Sequence, residues 1–91
     1  MRIRWTPSAA ADLEQIYEYL QRHLPHLAQR TVINLYERIR LLKTLPNRGR
    51  PGREEGTREL VFAPLPYIAV YRVKEEFIEI LHIYHGAQDR P

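Results

Sequence analysis

Five arginines stand where a guanidinium could do chemistry. Arg48, Arg50 and Arg53 fall within a stretch rich in Gly and Pro, Arg58 follows it closely, and Arg72 lies inside an apolar run. A guanidinium is planar and always charged, and it can hold a phosphate or carboxylate through two parallel bonds. A Gly/Pro loop carrying several of them resembles a phosphate-facing surface whose binding would fall steeply with salt. The plainer reading is a solvated basic surface, and the interleaved Glu54 and Glu55 weigh toward it. Arg72 shares a face with Ile68 and Val70 on strict alternation. A guanidinium there implies either a partner covering that face or a salt bridge to Glu59 or Glu79 across a sheet.

Near the end of the chain His82, His85 and Asp89 are groups that can move protons. Alternation puts His82 on one strand face with Ile78, Ile80 and Tyr84, where a sheet-edge histidine with one hydrogen bond competes with a catalytic one. His85 stands beside Gly86, where a turn-stabilising role is the competing reading. The spacing of these groups matches no metal motif, so neither a metal nor a cofactor is expected. Among the tyrosines, Tyr17, Tyr36, Tyr67, Tyr71 and Tyr84 are read either as anchors for a partner or as half-buried core.

The elements that must position these groups follow from periodicity. Arg2 to Trp5 alternates as a short strand with Ile3 and Trp5 on one buried face. Thr6-Pro7 then supplies a helix cap and a first-turn proline. Leu13, Ile16, Tyr17, Leu20 and Leu24 form the apolar stripe of a first helix. Pro25 forces a bend between His23 and His26, and Ala28, Val32, Leu35, Tyr36, Ile39 and Leu42 form the stripe of a second helix ending before Pro46. Two amphipathic helices with so short a connection predict an antiparallel hairpin. Residues 46–56 read as a loop. Beyond it, β-rich runs span residues 57–63, 67–74 and 77–84, separated by Pro64-Leu65-Pro66 and Glu75-Glu76, and predict a three-stranded antiparallel meander. The expected fold is α+β: an N-terminal strand, a helical hairpin and the meander, making one sheet covered on one face by the helices.

Composition sets outer limits. With 91 residues, 44% hydrophobic and 27% charged, the chain is expected to be a single folded domain spanning 1–91. It has no cysteine, which excludes disulfides, thiolate metal sites and cysteine nucleophiles. No apolar run approaches the length of a membrane helix, and the first residues lack a signal-peptide pattern, so a cytoplasmic protein without membrane contact is expected. Fourteen basic against eleven acidic residues give a net charge of +3, and the basic set is twelve Arg to two Lys. That bias suits an anionic partner but does not name one.

Several segments in order carry a resemblance over nearly the whole chain. They are Trp5 to Leu13 (WTPSAAADL), Leu45 to Gly52 (LPNRGRPG), Gly56 to Leu60 (GTREL), Pro66 to Val73 (PYIAVYRV) and His85 to Pro91 (HGAQDRP). Together they resemble the RelE/ParE superfamily of bacterial toxins from type II toxin-antitoxin modules, such as plasmid stabilisation systems, and look closer to ParE than to RelE. The resemblance implies a small toxin neutralised by a cognate antitoxin, with oligomers arising mainly as the toxin-antitoxin hetero-complex. ParE-type members poison DNA gyrase by binding it. RelE-type members are ribosome-dependent mRNA endonucleases, the alternative reading, for which Arg58, His82, His85 and Asp89 would be the catalytic set.

Cleaving RNA through its 2′-hydroxyl needs a base, a cation for the developing phosphorane charge and an acid for the leaving oxygen. The RelE pattern has a Lys where this chain has Leu60 and a functional Arg where it has Ile68, and its Arg-rich, Tyr-ended tail is absent here. A gyrase-inhibiting toxin is therefore the leading expectation, with Arg48, Arg50, Arg53, Arg58, Arg72, Tyr67, Tyr71 and Tyr84 as the residues contacting antitoxin or target. A basic nucleic-acid-binding module is the third reading, supported by charge alone.

Overall fold

Thr6 joins the first strand to the first helix and both to the far end of the chain. Its Oγ1 accepts from the Ala9 N–H at 3.1 Å, capping the helix. The same hydroxyl lies 2.9 Å from the Ile80 carbonyl and 3.1 Å from that of Leu81, so its proton is shared with the last strand. In this computed structural model, which describes residues 1–86, the order is β1 (Arg2–Trp5), α1 (Pro7–His23), α2 (Pro25–Arg40), a 3-10 turn (Leu41–Lys43), β2 (Arg50–Pro51), β3 (Arg58–Val61), β4 (Tyr67–Val73) and β5 (Phe77–His85). Among the described residues no helix is long and apolar enough to cross a membrane.

Leu24 ends α1 and starts α2 in one residue, with φ −143° and ψ 62°. The following Pro25 excludes helical geometry there, which is why the hairpin turns so tightly. The five strands form one sheet in the order β1-β5-β4-β3-β2. The meander is antiparallel as expected, while β1 joins β5 in parallel with Ile3 opposite Ile78. A parallel neighbour so distant in sequence needs a crossover, and the helical hairpin is part of it.

The core lies between the helices and one face of the sheet. Leu35, Ile39, Leu42, Phe62, Tyr71, Ile78 and Ile80 are its largest fully buried side chains. Two members of the expected α1 stripe fall outside it: Tyr17 is 36% exposed and Leu24, displaced into the bend, is 43% exposed. Ala9 is fully buried where a small side chain lets α1 approach the sheet. Tyr36, 43% exposed, meets Trp5 edge-on with ring centroids 6.2 Å apart and so packs at the rim. The expected loop 46–56 contains β2, a two-residue edge strand paired with β3 that periodicity cannot register.

Tyr71 spans the core from β4 to that loop. Its hydroxyl donates to the Pro46 carbonyl at 2.8 Å and accepts from the buried Gly49 N–H at 2.9 Å. A Cβ on Gly49 would stand 2.8 Å from the Tyr71 ring and 2.7 Å from the Glu59 carbonyl, so only glycine lets the loop come this close.

Two stability measurements test this packing. Leu35→Ala, at 0% exposure, should cost about 2 to 5 kcal/mol in chemical denaturation, and a cost below roughly 0.5 kcal/mol would contradict a sealed helix–sheet interface. Tyr71→Phe keeps the ring but strands the Gly49 N–H, so a loss of about 1 to 3 kcal/mol is expected. An unchanged denaturation midpoint would mean that the loop does not depend on this hydroxyl.

Candidate functional site

The arginines singled out by sequence have different surroundings. Arg50 donates through Nε and Nη2 to Glu59 Oε1 at 3.1 and 3.0 Å, joining β2 to β3. Glu59 is only 4% exposed, and a buried carboxylate needs such a partner. Arg58 faces the core side opposite Tyr71 and donates to the carbonyls of Asn47 and Gly49, each at 3.0 Å. Its guanidinium therefore braces the loop that Tyr71 pins. Arg48 and Arg53 are exposed.

Burial also separates the tyrosines. Tyr71 is fully buried in the core, while Tyr67, also part of the core, lines a depression beside α1 together with Tyr19, Leu65 and His85. Burial, with a smaller contribution from nearby Tyr19, pushes the Tyr67 phenol above its ordinary pKa, so it stays neutral. Tyr84 is half-buried and stacks on His82 with centroids 5.4 Å apart, so it remains at the surface.

The face of the sheet turned away from the core carries the remaining polar groups. Its layout depends on an irregularity in β5. Tyr71 pairs with Ile80, yet the preceding Val70 pairs with His82, so Leu81 is an extra residue in a β-bulge. Ile78 and Ile80 stay in the core, Ile83 returns to it, and His82 goes to the open face with Tyr84. The expectation that His82 shares a face with Ile78 and Ile80 is thus corrected. One trace of the bulge is visible in sequence: the isoleucines at 78, 80 and 83 step by two and then by three.

Asp12 of α1 holds this segment. Its Oδ2 accepts from the Ile83 N–H at 2.9 Å and lies 3.4 Å from His82 Nδ1. Asp12 did not stand out in the sequence, because a carboxylate in an early helix turn is fully accounted for by the helix dipole.

Arg72 lies on the open face opposite Glu79 in register. Among the described residues the ion pairs are Glu37–Arg40, Arg50–Glu59 and Asp12–His82, so the anticipated bridge from Arg72 to Glu59 or Glu79 is not formed. Its Nε is buried and makes no hydrogen bond there. Arg72, Arg53, Glu59, Thr57, Leu81 and His82 help to line a shallow depression of about 420 Å³. His85 lies apart from it, exposed and edge-on to Tyr67 at 5.7 Å. Asp89 is outside the described residues. Among those described, no cluster of three His, Asp or Glu could hold a metal ion.

The sheet therefore brings Arg72, Arg53, His82 and Tyr84 together and sends Arg58 to its other side. Such a face can bind an anion, but Arg58 cannot reach across the sheet to serve it. The family model for the ParE toxin of the type II toxin-antitoxin system parDE matches residues 3–90. The Sinorhizobium fredii protein Y4kP is 41% identical over 90 residues, covering 99% of this chain and 93% of its own. Toxin RelE2 of Caulobacter vibrioides is 36% identical over 87 residues, covering 96% of this chain and 97% of its own. Among solved structures, a chain of a chromosomal ParDE toxin-antitoxin system from P. aeruginosa superposes with a TM-score of 0.86 at 35% identity, over 93% of this chain and 95% of that one. With a matching model across nearly its whole length and the same sheet and hairpin, this chain belongs to the ParE toxin family of type II toxin-antitoxin systems, within the RelE/ParE superfamily.

Proposed function

We propose that this toxin inhibits DNA gyrase by binding it and is held inactive by a cognate antitoxin. The observation that carries the reading is what occupies the positions an RNA-cleaving relative would use. Arg58 is committed to the Asn47 and Gly49 carbonyls on the core side of the sheet. Leu60, at the position of a RelE lysine, is buried in the core, and Ile68, at the position of a RelE arginine, carries no charge. With those cations missing or engaged, stabilising a phosphorane is a poor use of this surface. Inhibition by docking needs no such set, and a short chain with a rigid sheet suits it. The antitoxin is supported by the ParDE system to which this chain is similar. Gyrase as target would put the protein in the cytoplasm.

Purified toxin should abolish supercoiling or raise cleavage complexes when titrated into a gyrase reaction. Unchanged levels of both at saturating toxin would defeat the proposal.

The second reading, a ribosome-dependent mRNA endonuclease, is favoured by the likeness to RelE2 and by His82 lining the same depression as Arg72. It expects messages to be cut on translating ribosomes after induction, with cleavage reduced by His85→Ala. Intact transcripts in induced cells would remove it.

A further inference from the structure

A second group of cations lies at the edge of the sheet farthest from the loop arginines. There β1 is the outermost strand, and a hollow of about 290 Å³ between it and the end of α2 is lined by Arg2, Arg40 and Lys43. Arg40 has structural reasons to be where it is: the end of α2 favours a cation, and Glu37 bonds it at 3.3 Å on the surface. Arg2 and Lys43 arrive on other elements, β1 and the 3-10 turn. Both are exposed, and neither belongs to an ion pair among the described residues. Three like charges around one small hollow repel one another, and a bound anion would turn that repulsion into attraction.

The lining limits which anion can enter. Unlike the depression that holds Glu54 and Glu59, or the one beside α1 with Asp12 and Glu18, this hollow has no carboxylate among its described residues. A lone carboxylate is satisfied by one arginine fork. A nucleic-acid strand instead brings a charge at every phosphate, which lysine meets as a point charge and arginine as a fork, so cations drawn from three elements suit it better. The rest of the lining agrees. Ile3 and Ile39 supply apolar floor, and Trp5 meets Tyr36 edge-on with ring centroids 6.2 Å apart. Tyr36 is exposed, so ring surface stands beside the cations, the combination on which unpaired bases rest along a bound strand.

We propose that this edge of the toxin grips a DNA strand, with phosphates held by Arg2, Arg40 and Lys43 and a base or sugar resting on the Trp5–Tyr36 pair. The inference rests on the gyrase reading, which supplies DNA as the nucleic acid, and it gives the toxin a contact with DNA beside its contact with the enzyme. An acidic polypeptide is the competing occupant, and RNA is the competing strand.

Trp5 is the single tryptophan of the chain, so its fluorescence reports on this hollow alone. Titrating full-length toxin with dodecathymidylate should quench that emission. The slope of log affinity against log salt should be about −2, the value for three cations releasing counterions from a single strand. Arg2→Gln and Lys43→Gln, both at exposed positions, should each flatten the slope by about 0.7 and weaken binding several-fold. Arg30→Gln, exposed on α2 but outside the hollow, should change neither. Glu37→Gln releases Arg40 and should tighten binding, a gain that a purely structural arginine would not give. Circular dichroism confirms that each variant is folded before it is scored. Four results would overturn the proposal: no Trp5 response, a response unaltered in both Arg2→Gln and Lys43→Gln, tighter binding of dodecauridylate, or an equal response to a blocked Glu-Ala-Glu-Ala-Glu peptide. The gyrase reaction separates the two readings. Inhibition by a toxin whose Trp5 does not respond condemns the contact and leaves the function standing, while a Trp5 response with gyrase untouched keeps the DNA contact and removes the gyrase reading.

Discussion

Where β5 takes in Leu81 as an extra residue, the backbone groups around the bulge are satisfied largely from the first helix and its cap. The Ile80 carbonyl accepts from the Thr6 N–H, and the Thr6 hydroxyl serves the Ile80 and Leu81 carbonyls, while the Ile83 N–H donates to Asp12. A bulge leaves peptide groups outside the regular ladder, and in a partly buried place each would be costly if unmet. Here two polar side chains near the start of α1 meet them, so the bulge also fixes how α1 sits against the sheet. The two faces of β5 follow from it: isoleucines inward at 78, 80 and 83, His82 and Tyr84 outward.

The arginine bias of the composition acquires a physical meaning from where the guanidiniums lie. Arg38 donates to the Phe62 carbonyl at 2.9 Å with its plane over the Phe62 ring, Arg4 lies over Phe77, and Arg50 and Arg58 fasten β2 and its preceding loop. A planar cation that stacks on aromatics and donates along fixed directions does each of these better than an ammonium could. Part of the bias is thus architectural, and net charge overstates how much cationic surface is free for a partner.

The loop that looked like a phosphate cradle is a braced segment. Tyr71 from within the core and Arg58 from β3 hold its carbonyls, and Gly49 allows the close approach. Of the loop's own arginines, Arg50 is tied to Glu59, leaving Arg48 and Arg53 exposed. The structure thereby moves the centre of interest from the loop to the sheet face beneath it.

Much of the architecture was legible in the chain. Thr6-Pro7 signalled a capped helix, Pro25 a sharp bend, and alternation the meander, because caps, prolines and side-chain periodicity are local properties of the backbone. The family resemblance was legible in ordered motifs for the same reason. The parallel pairing of β1 with β5, the edge strand β2 and the Leu81 bulge were not, since each depends on a partner far away in sequence. Arg58 and Arg72 look alike as charged residues in β runs. Register alone turned one toward the loop carbonyls and left the other on the open face with an unmet donor, because a one-residue change in pairing sends a side chain to the opposite side of a sheet.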